Sequence, residues 1–258
     1  MQDEEIGSHD VQVLQTLAGG SVYPFAPGGE QTIRLAYERA ICLAEHYIYI
    51  EDQYFWPCSI DDTFRDAAAR GVKIILVLDH KGLGPWHNWL RQKVLERVRP
   101  IISQNVFGYH LQRPGLGSDI YVHSKLMIID NHYVATGSAN HSSKSLKIGS
   151  ELQIAVVERQ TLIGSIGGVP TQVRPFARNL RVTLWREHLA LESPIKVDDT
   201  LDSVTGHPNG WPICEDVRGS GDPCDAGRRH AVCHNVTIPR WKFPNWVPNW
   251  LINPRSRN

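Results

Sequence analysis

The chain has 258 residues, with 27 lysines and arginines balanced by 27 aspartates and glutamates, for a formal net charge of zero. That balance argues against a nonspecific nucleic-acid binder, which needs a basic surface to hold phosphates. No apolar run reaches the roughly 18 residues of a membrane span. The N-terminal MQDEEIGSHD is acidic and polar, unlike a secretory leader, so a soluble or peripherally membrane-bound chain is expected.

Taken in order, helical and strand-like patterns alternate. Residues 32–46 place Ile33, Tyr37, Ile41 and Ala44 at helical spacing, and residues 47–50 read as a strand. Residues 61–70 predict a short helix with Gly71 as its C-cap, followed by a buried strand over 72–78. A basic amphipathic helix spans 86–99 and stops at Pro100; a strand follows over 106–110. The apolar run 125–129 enters a turn at Asp130, Asn131 and His132 and returns as a hairpin partner over 133–136. A strand over 152–157 and a helix over 171–189, with Pro175 in its first turn, complete the pattern. This alternation predicts an α/β fold, an α-β-α sandwich around a central mixed sheet, over residues 1–190.

Residues 191–258 form an irregular extension rich in Pro, Gly and Trp. It holds three of the five cysteines, Cys214, Cys224 and Cys233, whose spacing with His230 and His234 matches no standard zinc pattern. Disulfides there require an oxidising compartment; free thiols are the alternative. Its end, WKFPNWVPNWLINPRSR, mixes indoles with basic residues, as a peripheral membrane contact would. Pro244, Pro248 and Pro254 rule out a regular amphipathic helix, which favours a strip lying across the fold.

The chemistry concentrates in YVHSKLMIIDNHYVATGSAN, residues 121–140, which fits H-x-K-x4-D-x6-G-S-x-N at His123, Lys125, Asp130, Gly137, Ser138 and Asn140. On a strand, residues two apart share a face, so His123 and Lys125 would project together while Asp130 falls on the other side, in a supporting role. The hairpin would bring Gly137, Ser138 and Asn140 back beside them. A cation, an amide and a hydroxyl around one imidazole suit a phosphoryl group. Lysine neutralises its charge, the amide and hydroxyl bond its oxygens, and a neutral imidazole attacks phosphorus. Lysine takes the place of a metal, and no cofactor is expected. In-line displacement calls for a second imidazole to protonate the leaving group from the opposite side. The chain contains a single H-x-K triplet.

This motif is the signature of the phospholipase D superfamily, and the chain resembles the C-terminal half of its two-motif members. VQVLQTL at 11–17, YIYIEDQYF at 47–55, GSELQIAVV at 149–157 and FARNLRVTLWREHL at 176–189 are similar to segments of that half, in the same order. The resemblance implies catalytic roles for His123, Lys125 and Asn140, with Glu151 as the acid that buttresses the histidine. It implies substrate contacts from Gly137 and Ser138. Gln53 and Tyr54, beyond the carboxyl end of a predicted strand, would wall the pocket together with Glu51. Asp79, His80 and Lys81 end another strand, where ordinary turn chemistry is an equal alternative. A phospholipid substrate and a second motif-bearing chain are the implied partners, nucleic acid being disfavoured. The readings left are a phospholipase D-type phosphodiesterase, a homodimeric nuclease or other phosphodiesterase, and a catalytically silent half that binds without turnover. In two-motif enzymes the C-terminal histidine would be the general acid; in a homodimer either copy attacks.

Overall fold

The computed structural model describes residues 7–20, 23–79, 86, 89, 90, 93, 105–112, 120–166, 169–189 and 230–232. The expectations for the cysteines, tryptophans and basic strip of the extension, and for His80 and Lys81, lie outside these residues. Of the helix expected over 86–99, Trp86, Trp89, Leu90 and Lys93 are described, and all four are helical.

Strand β1 (His9–Leu17) leads through the two-residue β2 (Glu30–Gln31) into helix α1 (Thr32–Leu43). Then come β3 (Tyr47–Asp52), α2 (Asp61–Ala69), β4 (Lys73–Leu78) and β5 (Val106–Gln112). The hairpin β6 (Lys125–Ile129) and β7 (Tyr133–Gly137) follows, then a single π-helical turn (Lys144–Ile148) and β8 (Glu151–Glu158). A second hairpin, β9 (Leu162–Ile166) and β10 (Val169–Val173), precedes α3 (Pro175–Leu189); β11 (His230–Val232) ends the described elements. Among the described residues nine strands form one mixed sheet in the order β11-β5-β4-β3-β6-β7-β8-β1-β2. β3, β4 and β5 run parallel, and β6 lies antiparallel to β3.

All six residues of β3 are buried, because helices cover both faces of the sheet. Strand alternation divides the core in two. Ile48 and Ile50 of β3, Ile74, Leu76 and Leu78 of β4, and Met127 and Ile129 of β6 pack with Ile33, Tyr37 and Ile41 of α1 and Phe64 of α2. The intervening residues Tyr47, Tyr49, Ile75, Val77 and Ile128 pack on the other side with Trp185 and Ala177 of α3. Tyr47 and Tyr49 meet Trp185 at ring-centroid distances of 5.9 and 5.6 Å. The arrangement is the α-β-α sandwich with a central mixed sheet. No helix among the described residues is long and apolar enough to cross a membrane.

Two local features differ from expectation. The helix expected over 171–189 starts at Pro175; Thr171, Gln172 and Val173 belong to β10. Proline disfavours helical backbone in the residue before it, so Pro175 opens the helix and the segment ahead stays extended. The helix expected over 32–46 ends at Leu43, where Ala44 turns extended (φ −62°, ψ 133°) to start the approach to β3. By contrast Gly71, at φ +92°, closes α2 as expected, its N–H and that of Val72 bonding to Ala68 O and Ala67 O.

Close approach of β7 to β8 requires glycine at position 137. A Cβ there would overlap Leu152 O and Gln153 Oε1 and stand 2.8 Å from Gln153 Cα, whereas a Cβ on Gly28 would meet nothing within 4 Å. Gly137→Ala is therefore expected to cost about 2–3 kcal/mol in urea unfolding by overpacking, with Gly28→Ala close to neutral. Equal stability of the two variants would show that the strands are not held this close.

Candidate active site

The carboxyl ends of β3, β4 and β7 and the amino ends of β6 and β8 lie along one edge of the sheet. Nearly all the residues singled out by sequence gather there. Lys125 stands directly opposite Asp52 in the β3–β6 register. Its side chain is buried, and Nζ donates to His123 O at 2.7 Å. Burial pulls the ammonium below the ordinary lysine range, against the Asp52 and Glu151 carboxylates, which hold it up.

His123 does not share the strand with Lys125 as expected. β6 begins at Lys125, and His123 stands in the irregular approach to it, tied to Lys125 through its own carbonyl. Its exposed ring lies nearly parallel to Tyr121, at 5.6 Å and 17°, and makes no hydrogen bond within the described residues. The Tyr121 hydroxyl in turn accepts from Gln53 Nε2. Gln53 is buried and meets the tyrosine rather than the histidine, while Tyr54 stacks on Trp56 at 4.1 Å.

Glu151 is held by serines. Ser138 Oγ donates to Oε2 at 2.6 Å and Ser145 Oγ donates to Oε1 at 2.7 Å; the His123 imidazole is not among its partners. The Ser138 hydroxyl also accepts from Leu152 N, so this exposed residue is engaged with β8. Asn140 is 8% exposed, and its Oδ1 is buried with no hydrogen-bond partner. An orphaned amide oxygen in a polar cluster is unusual enough to call for a donor group from a ligand or a partner.

Asp52 and His188, to which the sequence assigns no role, complete the framework with Glu51 and Asp79, which it does single out. Asp52 lies inside EDQYF, yet its role depends on a loop 89 residues away: Oδ2 accepts from His141 N at 2.8 Å, while Oδ1 accepts from Tyr54 N at 2.7 Å. Glu51, one residue back, points to the opposite face. Burial alone would push its pKa up, but the hydrogen bond and charge of His188, with hydrogen bonds from Tyr49 and Ser124, win and hold its carboxyl below the usual range. His188 Nε2 lies 3.0 Å from it, and Ser124 is the residue between the motif's histidine and lysine. Asp79 is buried at the end of β4 on the same edge.

Asp130 is the site residue the fold carries away. It sits past the far end of β6, in left-handed backbone (φ +51°), and its carboxylate accepts from Glu45 N, His46 N and Tyr47 N at 2.7–3.0 Å. These bonds fix the start of β3 to the end of β6. Asp130→Asn replaces one acceptor oxygen by a donor facing N–H groups, at an expected cost of about 2–3 kcal/mol. Any turnover per folded molecule should persist; a large loss of turnover at unchanged stability would give Asp130 a chemical role.

A family model described as a cardiolipin synthase, PLD-like domain, matches residues 37–164. The chain is 26% identical over 225 residues to phospholipase D zeta 1 of Arabidopsis thaliana, covering 68% of this chain and 20% of that one. It is 27% identical over 239 residues to phospholipase D1 of Schizosaccharomyces pombe, covering 73% and 17%. The chain thus spans about a fifth or less of the length of these relatives. A phospholipase D family member, Nuc, from Salmonella typhimurium aligns over 58% of this chain and 84% of that one, with a TM-score of 0.44 and 21% identity. The chain is a member of the phospholipase D superfamily.

Proposed function

We propose that this chain is one half of a phospholipase D-type phosphodiesterase acting on glycerophospholipids, by hydrolysis or by transfer to an alcohol. The observation that supports it most is the pairing of an exposed, unbonded imidazole at His123 with the buried ammonium of Lys125, bonded to its carbonyl. Lys125 would draw in the phosphodiester anion, and the Asn140 amide would bond a non-bridging oxygen or a leaving-group hydroxyl. In the first step an imidazole nitrogen forms the P–N bond as the P–O bond to the leaving alcohol breaks. A second imidazolium, in line on the far side, gives its proton to that oxygen. Water or an alcohol then attacks phosphorus, the P–N bond breaks, and the second imidazole takes up the incoming proton. His123 fills either role, depending on which half supplies the other imidazole.

Electrostatics favour a second half for a further reason. Among the described residues, Lys125 shares this edge with the carboxylates of Asp52 and Glu151, so these groups by themselves are a poor host for an anion. A second lysine and histidine would reverse that balance. On the sheet face, the register pairs Val13 with Ile154 and Gln15 with Leu152, and Val13, Ile154 and Leu152 are 63%, 38% and 56% exposed. This apolar row adjoins Glu151 and offers a place for the second half to pack.

Head-group release from phosphatidylcholine vesicles should fall by at least ~10³-fold in His123→Ala and in Lys125→Ala, with unfolding curves unchanged. Activity should scale with an oligomer detected by light scattering, or with an added second half. Full activity in His123→Ala contradicts the mechanism. Cleavage of DNA without cleavage of lipid would favour the nuclease reading, and clean binding of vesicles without turnover the silent half.

A further inference from the structure

Behind Asn140 lies a group of side chains that the phosphoryl chemistry does not use. Cys58 Sγ, Asp61 Oδ1 and His141 Nε2 are mutually 3.1, 3.2 and 3.3 Å apart, and each residue is 3% exposed. The His141 ring is fixed between Phe55, stacked at 4.2 Å and 18°, and the edge of Phe64 at 5.1 Å. We propose that these three residues form a binding site for a single Zn²⁺ ion that clasps the loop after β3 to the segment carrying Asn140.

The shape of the cluster argues for an ion rather than hydrogen bonds alone. Three heteroatoms at nearly equal separations make a triangle with corners near 60°, so each atom faces both of the others at once. A hydrogen bond wants its proton close to the line between two atoms; the thiol and the imidazole Nε2 can supply one proton each, so hydrogen bonds cannot satisfy all three edges of such a triangle at once. A metal face can. Zinc binds sulfur at about 2.3 Å and nitrogen or oxygen at about 2.0–2.2 Å, which separates tetrahedral ligands by about 3.4–3.6 Å. The triangle needs to open by only a few tenths of an ångström, with the ion about 1 Å out of its plane. The second Asp61 oxygen or a water supplies the fourth ligand.

The donor set also suits the surroundings. A thiolate, a carboxylate and a neutral imidazole cancel the two positive charges of the ion, so the loaded site is neutral among phenyl rings. Binding releases the thiol proton to solvent, with no change of oxidation state. Next to the cluster, His141 N donates to Asp52 Oδ2 and Trp56 N donates to His141 O at 2.7 Å. An ion would thus brace the two loops that carry Gln53, Tyr54 and Asn140 without touching substrate.

This inference does not depend on the phosphodiesterase reading, because its test reads metal rather than turnover. The full chain, purified without chelator, is assayed for zinc by mass spectrometry. It is then stripped and reloaded with Co²⁺, whose thiolate charge-transfer absorption reports sulfur ligation. About one zinc per chain and a cobalt–thiolate band are expected, with a fall in melting temperature on stripping. Cys58→Ser and Asp61→Asn should lose both metal signals. A variant with Cys42, Cys214, Cys224 and Cys233 all changed to serine keeps Cys58 as its sole thiol and should retain the band. That variant decides the matter even if Cys58→Ser fails to fold. Absence of zinc and of any cobalt band, or loss of the band in the four-serine variant, overturns the proposal and leaves a hydrogen-bonded clasp.

Discussion

The pairing of β6 with β3 is the constraint on which the remainder of the site rests, and a buried carboxylate secures each end of it. At one end Asp130 gathers three backbone N–H groups from the approach to β3. At the other Asp52, opposite Lys125, gathers N–H groups from its own loop and from His141. Hydrogen bonds to charged acceptors in such settings contribute roughly 1.5–3 kcal/mol each, so the register cannot slip without losing several of them. A slip by one residue would turn Lys125 to the opposite face and bury Leu126 in its place. The motif's aspartate therefore serves the chemistry from a distance, by setting where its lysine stands.

From that pair outward, the polar residues sort by face. Asp52 and Lys125 share the α1/α2 side, and Glu51, bonded to His188 and Tyr49, faces α3. Ser124 connects the second group to the motif itself. The histidine is therefore approached from two sides: a lysine on its carbonyl, and a buried carboxylate network beneath the adjoining serine. Tyr121, hydrogen-bonded to Gln53, lies nearly parallel to the histidine ring. What the described residues of this edge lack is net positive charge. Among the described residues the Lys125 ammonium stands between two carboxylates and is outnumbered, which under the proposed function a second half with its own lysine would correct.

Much of the fold could be read from the chain because apolar periodicity and turn residues agreed. The β6 run, the Gly71 cap and the buried strands β3 and β4 each carry a signal within a few residues. The last three residues of β10, Thr171 to Val173, were read as helix because they precede a real helix, and only the stereochemistry of Pro175 separates the two. Site residues that depend on the motif were legible as a set, but their contacts were not. Glu151 was expected on the histidine and bonds Ser138 and Ser145, the latter supplied by a π-helical turn with no sequence signature. The Cys58, Asp61 and His141 cluster was invisible for a different reason. Eighty residues separate Asp61 from His141, and spacing arguments see only neighbours in the chain.

The most direct measurement is to quench the chain, with its second half present, during turnover of a phospholipid labelled at phosphorus, and to map any acid-labile phosphate by peptide sequencing. Label on the His123 peptide, or on the matching histidine of the second half, is the predicted result, and it should disappear when both are alanine. Steady turnover with no phosphohistidine at any time, or label that survives the double substitution, would contradict covalent catalysis at this site.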